Sequence, residues 1–399
     1  MLFYFLACKG CNDDQLIIQE KIQDTEEPIL EEGYNNNWGS WLSLATSPQA
    51  LPAASYYDKT ATGLGFALAN KAEDESWSWT HYEVDGYINE QGLDVGDRGK
   101  YSSLTIDASG TVWIAYYDVA LKNLKYATTS LSAEDSSEEN MTWTTGNADV
   151  GGGPSPDAGL YASIALKDGS PQIAHYDRGK EQLRITYYNG SSFTGEVVDR
   201  GETAEGEAHN VGKFASLAIG SDGTEYITYY DETNGNLKLA YGEAGSWNLE
   251  VIDTGDVENI DEETGETTYT SGNVGQWSDI AIAPDGTLFV SYHDVLNQNL
   301  MLAQGVPGDW SIEIVDDSEL VGADTAISIE AGYTVIAYFD GQNNDFKLAK
   351  DTGSLWEIST PSGSAGATGF HNELLFIGGR YYAGCYSHTD QAVWFDNID

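Results

Sequence analysis

An internal repeat is the feature that most constrains the fold of this chain. Residues 101–118 form a motif that recurs, complete or degenerate, in seven copies. The other copies are residues 41–58, 161–177, 214–231, 277–294, about 324–340 and 370–388. The last residues of successive copies lie between 46 residues apart (Asp294 to Asp340) and 63 residues apart (Asp231 to Asp294). Such spacing is typical of an array whose units are joined by loops of variable length.

Each copy predicts strands and no helix. In the copy that starts at Phe214, residues 216–219 alternate as in a half-buried strand, and residues 225–230 are rich in aromatic and β-branched side chains. Residues 237–241 and 247–252 predict two further strands, and turns separate all four. Four antiparallel strands repeated seven times predict an all-β fold, a seven-bladed β-propeller of four-stranded antiparallel blades.

The two ends of the chain predict how the ring closes. The seventh copy contains only three predicted strands, and residues 15–22 can supply the missing outer strand of that blade. This closure leaves fewer unpaired strand edges. We therefore expect residues 1–11 to be a truncated signal-like segment and residues 12–37 to be an acidic tether that includes the closing strand. Residues 38–399 are expected to form the propeller.

The amino-terminal sequence Leu6-Ala7-Cys8 resembles the end of a bacterial lipoprotein signal, in which a small residue precedes the lipidated cysteine. This resemblance predicts lipidation at Cys8. It also predicts an extracellular or outer-surface location, with the lipid anchor as the only contact with a membrane. The alternative is an incidental apolar amino terminus with an ordinary cysteine.

Charge limits the classes of partner. The chain has 18 Lys+Arg and 64 Asp+Glu, a formal net charge of −46. Such a surface repels phosphate backbones, so we expect no nucleic-acid partner. Acidic runs such as residues 133–139 and 253–266 fall in predicted loops and are typical of a solvated surface. Binding of Ca²⁺ by these carboxylates is an alternative to a purely solvated surface, and we expect no other cofactor.

The repeat resembles that of a known group of proteins. Its pattern Ser-Leu-Ala-Ile-x-x-Asp-Gly, followed by Ile-Thr-Tyr-Tyr-Asp and Asn-Leu-Lys-Leu-Ala, is similar to repeats of secreted or lipoprotein bacterial seven-bladed propellers with sialidase-like (BNR-type) repeats. The resemblance covers residues 38–395 and implies the fold rather than one activity. Sialidases use three arginines and an Asp-box. This chain has five arginines in all, and its nearest Asp-box, residues 107–113, has altered spacing.

The aspartate that ends each repeat predicts a turn rather than a catalytic group. One copy per blade spreads these carboxyl groups around the ring, so they do not converge as an acid/base pair must. Each precedes a tight turn, where a carboxylate accepts backbone N–H bonds. We predict no catalytic residue, and the structural turn residues are Asp58, Asp118, Asp177, Asp231, Asp294 and Asp340.

The aromatic residue that opens each first strand is the strongest candidate for ligand binding. The first strand of a propeller blade lines the central channel, so these side chains are expected at its rim. There they can stack on sugar rings or anchor a protein partner, or they can pack beneath long loops. The candidates are Trp41, Tyr101, Tyr161, Phe214, Trp277 and Phe370.

These patterns favour a non-catalytic extracellular or cell-surface binding module over an enzyme. Its expected ligand, a carbohydrate or a surface protein, is held at the loop-rich face of the propeller. Two alternatives stay open, namely a polysaccharide-acting glycosidase or lyase of sialidase-like fold and a structural scaffold lipoprotein. The side chains that line the central channel distinguish these hypotheses. An enzyme requires convergent ionisable side chains with shifted pKa values there, whereas a binding module requires an exposed aromatic platform.

Overall fold

The computed structural model describes residues 37–399 except 73–75, 88–95, 132–140, 203–205, 207, 261–266 and 362–365. Within these ranges every regular element is a β-strand, and no helix able to cross a membrane occurs in them. The strands coincide with the aromatic and β-branched segments of the repeat, and glycine-containing turns end them. Cys8 and the predicted closing strand at 15–22 lie outside the described residues, as does all of the predicted tether except Asn37.

Four consecutive strands pair antiparallel, in chain order, in each of the first four blades. Blade 1 contains β1 (Trp38–Thr46), β2 (Pro52–Asp58), β3 (Gly63–Lys71) and β4 (Trp77–Asp85). Blade 2 contains β5 (Arg98–Ile106), β6 (Thr111–Asp118), β7 (Asn123–Ser130) and β8 (Thr144–Asp149). Blade 3 contains β9 (Ala158–Lys167), β10 (Ser170–Asp177), β11 (Gln182–Tyr188) and β12 (Phe193–Asp199). Blade 4 contains β13 (Val211–Ile219), β14 (Glu225–Asp231), β15 (Asn236–Glu243) and β16 (Ser246–Asp253).

The remaining blades follow a two-stranded hairpin formed by β17 (Val257–Ile260) and β18 (Thr267–Thr270). Blade 5 contains β19 (Val274–Ile282), β20 (Leu288–Asp294), β21 (Asn299–Val306) and β22 (Asp309–Asp316). Blade 6 contains β23 (Val321–Glu330), β24 (Tyr333–Asp340), β25 (Asp345–Asp351) and β26 (Trp356–Ser359). Blade 7 has three described strands, β27 (Phe370–Ile377), β28 (Arg380–Ser387) and β29 (Ala392–Asn397).

The seven blades form a closed ring. The first strand of each blade contacts the first strand of the next, and β27 of blade 7 contacts β1 of blade 1. At this junction the backbone N–H of Trp38 donates to the carbonyl oxygen of Gln391 over 3.2 Å. The Tyr386 hydroxyl donates to Oδ1 of Asn37 over 2.6 Å. The prediction of an all-β, seven-bladed propeller is confirmed.

In five of the seven blades a buried side chain of the second strand joins the blade to the preceding one. In blades 2, 4, 5 and 6 the first tyrosine of the repeat donates its hydroxyl, over 2.5 to 2.7 Å, to the aspartate that ends the fourth strand of the preceding blade. In blade 3 His175 takes this place, with Nε2 3.4 Å from Asp149. We call the acceptors the interface acids, and they are Asp85, Asp149, Asp199, Asp253 and Asp316.

Most interface acids also meet a cation from the third strand of the following blade. Lys238 Nζ lies 2.6 Å from Asp199 and Lys125 Nζ lies 2.5 Å from Asp85, and Asp149 and Asp316 are paired in the same way with Arg184 and Lys347. Burial alone would raise the pKa of Asp85 and Asp199. The bonds from lysine and tyrosine outweigh it, so the pKa of both carboxyl groups lies below its usual range. Asp85 and Asp199 therefore stay ionised inside the ring.

Candidate functional site

The first strand of every blade contains the same β-bulge. A glycine of positive φ is followed, two residues later, by a non-glycine residue with φ between 49° and 54°. Glycine is required because a Cβ on Gly99, for example, would lie 2.7 Å from the Cα of Leu64 in the preceding blade. A bulge re-aims the side chain that follows it, and here that side chain lines the central channel. The seven residues are Trp41, Tyr101, Tyr161, Phe214, Trp277, Asp324 and His371.

Six of these seven side chains form a continuous arc that we call the aromatic collar. In ring order the collar is His371, Trp41, Tyr101, Tyr161, Phe214 and Trp277, and the centroids of successive rings lie 5.4, 5.5, 4.9, 4.6 and 4.9 Å apart. All six side chains are half-buried, so they pack against each other and still face the channel. Burial, assisted by Lys59 and His388, lowers the pKa of His371 to about 3 and keeps its ring neutral.

The collar contains five of the six predicted aromatic residues. Phe370 is one residue out of register, and His371 takes the position that was assigned to it. The Phe370 ring packs instead against Phe339 and His388, each with centroids 4.6 Å away. The sequence holds a signal for the correct register, since Gly369 precedes His371 by two residues as the bulge requires. A ligand-binding role of the collar stays a prediction.

Asp324 closes the gap in the collar between Trp277 and His371. Its blade carries an acid where the six others carry an aromatic or imidazole ring. Burial raises the pKa of Asp324 from 3.8 to about 6, against the opposing effect of a hydrogen bond from the backbone N–H of His371. Asn372 Nδ2 donates to the Asp324 carbonyl oxygen over 2.8 Å, which fixes this part of the strand.

A second ring of equivalent positions lies two residues further along each first strand. In blades 1 to 4 it is filled by serine, and each serine oxygen accepts a backbone N–H from the first strand of another blade, as Ser43 does from Leu104 over 3.1 Å. We call these positions the serine ring. Its members are Ser43, Ser103, Ser163, Ser216, Asp279, Ala326 and Glu373.

Two carboxyl groups replace serine in this ring. Asp279 accepts hydrogen bonds from Ser216 Oγ over 2.7 Å, Ile280 N over 3.0 Å and Ile327 N over 2.9 Å. Burial raises the pKa of Asp279 despite these bonds. The pKa of Glu373 is raised well above its usual range, first by burial and then by the charge of Asp279. The carboxyl groups of Asp279 and Glu373 therefore interact electrostatically along the channel lining. Ala326 occupies the ring position between them.

The channel encloses a cavity of about 360 Å³, near the lower end of the range of about 300–1,000 Å³ that is usual for small-ligand sites. The collar, the serine ring and the residues between them form its wall. No lysine or arginine belongs to this wall in the described part of the chain. Asn372 is 7% exposed, and within the same part its Oδ1 has no hydrogen-bond partner. Among the described residues this oxygen is therefore an unpaired acceptor that is buried in the wall.

The predicted turn aspartates lie at the ends of the second strands, away from the cavity wall. Backbone N–H groups donate to Oδ1 of Asp58, Asp118, Asp231, Asp294 and Asp340 over 2.8 to 3.1 Å. Asp177 accepts a side-chain bond from Gln182 instead, over 3.3 Å. None of the six carboxyl groups belongs to the channel lining among the described residues.

Metal binding has no support in the described ranges, where no group of three or more His, Cys, Asp or Glu side chains is arranged to hold an ion. The acidic run 133–139 lies entirely outside them, and so do residues 261–266 of the run 253–266, so Ca²⁺ stays a prediction.

Sequence reasoning missed the three channel carboxyl groups and His371. Asp279 and Glu373 stand where an alignment of the repeats has serine, and Asp324 stands where it has an aromatic ring. The bulge glycine, at Gly275, Gly322 and Gly369, aligns these copies correctly. A search for departures from the repeat would therefore have found these residues.

Comparison with known proteins gives one similar curated sequence. No family model matches the chain. An alpha-L-arabinofuranosidase of Bifidobacterium longum subsp. longum is 25% identical over 263 residues, which are 62% of this chain and 23% of that protein. The match thus spans less than a quarter of the relative's length.

Comparison with solved structures gives two that are similar to this chain. The polysaccharide lyase Uly1 has 11% identity and a TM-score of 0.51, with 97% of this chain and 96% of that chain covered. A leech intramolecular trans-sialidase has 11% identity and a TM-score of 0.44, with 98% and 72% covered.

The prediction of a non-catalytic binding module, and with it the expectation that the chain is not an enzyme, is wrong. The similarity to an arabinofuranosidase contradicts it and favours the alternative of a polysaccharide-acting enzyme. The channel also meets the criterion stated above for an enzyme, because Asp279, Asp324 and Glu373 line it and all three have raised pKa values.

Proposed function

We propose that this chain is a carbohydrate-active enzyme that hydrolyses glycosidic bonds in polysaccharide, with the central channel as its active centre. The observation that carries the proposal is the presence of Asp279, Asp324 and Glu373 on three consecutive blades, facing one cavity with the aromatic collar. The similarity to an alpha-L-arabinofuranosidase supports the same class of activity.

The three carboxyl groups suit different roles. Glycoside hydrolysis requires one carboxylic acid that protonates the leaving oxygen and one carboxylate that activates water or attacks the sugar. Glu373 is the proton donor, because burial and the charge of Asp279 raise its pKa well above the usual range and favour the protonated carboxyl group. Asp324 is the carboxylate, because a pKa of about 6 leaves it ionised at pH 7. Asp279 is a positioning residue whose charge raises the pKa of Glu373.

The aromatic collar supplies the binding surface. Aromatic rings offer flat apolar faces with little conformational freedom, and the apolar face of a sugar ring packs against such surfaces. The collar spans six of the seven blades, so it holds a sugar against the blades that carry the carboxyl groups. Hydroxyl groups of the sugar find acceptors among the serine and carboxyl oxygens of the wall.

The test is hydrolysis of a panel of plant and bacterial polysaccharides, measured as release of reducing ends and chromatography of the products. We expect release from at least one polymer by the wild-type chain and its loss in Glu373→Gln. The matched control is Glu319→Gln, which changes an exposed glutamate and leaves the rate unchanged. A folded wild-type protein that cleaves no polymer, or a Glu373→Gln variant of full activity, contradicts the proposal.

A further inference from the structure

The charge of the channel wall restricts the sugar that it accepts. The wall consists of aromatic, hydroxyl, amide, aliphatic and carboxyl side chains, and it contains no lysine or arginine among the described residues. A uronate carboxylate placed there would lose its hydration without gaining a counterion, which is costly for any buried charge. It would also face the carboxylates of Asp279 and Asp324, and like charges at such close quarters repel.

Cations next to collar residues are already engaged. Lys100 Nζ lies 3.2 Å from Asp97, and its ammonium group also lies 5.7 Å from the ring centroid of Trp41. Lys213 Nζ lies 2.9 Å from Glu232. Lys59 Nζ lies 4.3 Å from the ring centroid of Tyr386. Recruiting any of them to a sugar carboxylate would break a contact that the folded protein already makes.

The polar groups of the wall suit hydroxyl groups instead. Serine hydroxyl groups and the Asp324 carboxylate belong to the wall and accept hydrogen bonds from hydroxyl groups. A neutral sugar carries several hydroxyl donors and an apolar face, so it suits both these acceptors and the collar without bringing a charge.

We infer that the sugar residue held in the channel is uncharged and that its bond is broken by hydrolysis rather than by elimination. The inference rests on the proposed function and deepens it. The bond between the anomeric carbon and the leaving oxygen breaks, and a bond to the oxygen of water replaces it. Glu373 gives its proton to the leaving oxygen, and Asp324 takes one from water. Elimination instead removes a proton from the ring carbon next to the carboxylate of a uronate sugar. Further negative charge then develops on that sugar, which a wall of carboxyl groups opposes.

The experiment compares a uronate polysaccharide with the same polymer after reduction of its carboxyl groups to alcohols, together with neutral polysaccharides. Reducing ends report cleavage of either kind, and ultraviolet absorbance of unsaturated products reports elimination alone. We expect neutral or reduced polymer to be cleaved at least tenfold faster than the uronate form, with no unsaturated product. Faster cleavage of the uronate form, or any unsaturated product, overturns the inference and leaves carbohydrate activity standing.

A binding measurement decides the inference even without turnover. Absence of cleavage on every polymer contradicts the proposed function alone. The wild-type chain is then titrated calorimetrically with uronate oligosaccharides and with their carboxyl-reduced counterparts. Tighter binding of the reduced form by tenfold or more supports an uncharged ligand. Equal or tighter binding of the uronate form, or binding of neither form, overturns it.

Discussion

Two sets of carboxyl groups lie inside this propeller, and they differ in what surrounds them. The interface acids are repeated from blade to blade, and most of them meet both a hydroxyl group and a cation, as Asp199 meets Tyr229 and Lys238. The channel acids are Asp279, Asp324 and Glu373, and each appears in one blade only. No lysine or arginine belongs to the same wall in the described part of the chain. The pKa of Asp199 is therefore lowered, whereas the pKa of Glu373 is raised.

This difference separates structural from chemical use of the same functional group. A paired, ionised carboxylate holds two blades together and has no proton to give. A carboxyl group without a cation is costly in its charged form, so it retains a proton that a reaction can use. The serine ring shows that the fold does not require such groups, because Ser43 accepts the same kind of backbone bond without a charge.

The largest expected effect is on catalysis by Glu373. Removal of a general acid reduces the rate by about 10²–10⁴-fold, so Glu373→Gln should lower kcat by that factor. Its Tm should not fall, because the amide still accepts hydrogen bonds and a buried ionisable group has been removed. Rate assays and thermal melts on the same samples check both parts. A variant that loses activity only in proportion to its loss of folded protein would make Glu373 a structural residue.

The next effect concerns an interface acid. Asp199→Asn leaves the Lys238 ammonium without its charge partner, and breaking a buried pair in this way costs about 3–5 kcal/mol. Asp253 provides the matched control, because Tyr292 donates to it over 2.6 Å while Met301 stands where the neighbouring blade has Lys238. Asp253→Asn should cost only about 1 kcal/mol. Denaturant midpoints compare the two, and equal losses would show that the cation contributes nothing.

The blades were predictable from sequence because seven copies of one repeat give separate evidence for the same pattern of strands. Tyr229 and Asp231 belong to a pattern that most copies support, so a departure in one copy does not matter. The channel acids are exceptions to that pattern, and each appears in one copy only. Their convergence is a property of the closed ring, because Asp279 and Glu373 come together only when blades 5 and 7 take their places. The off-by-one assignment of Phe370 arose for the same reason, since only the bulge at Gly369 identifies the residue that faces the channel.

The two sets should also respond to pH in opposite directions. A lowered pKa, as in Asp199, contributes stability above the pKa of the unfolded chain that is lost as pH falls through the folded value. The raised pKa of Asp324 contributes stability at low pH that is lost as pH rises from 3.8 through about 6. Asp324→Asn should therefore gain stability relative to wild type across that interval. Tm measured at several pH values tests this, with the exposed-site variant Glu319→Gln as the control.

The smallest expected effect comes from converting a channel acid into the residue of the repeat. In Asp279→Ser the hydroxyl oxygen can accept the Ile327 N–H just as Ser163 accepts that of Leu217, while a costly buried carboxyl group is removed. We expect stability to rise by about 1 kcal/mol, whereas Ser163→Ala should lose about 1 kcal/mol.

Asp279→Ser also removes the charge that raises the pKa of Glu373, so the alkaline limb of the pH–rate profile should move to lower pH. A more stable variant with an unmoved profile would mean that Asp279 does not act on Glu373. A less stable one would mean that it holds the ring together as the interface acids hold the blades.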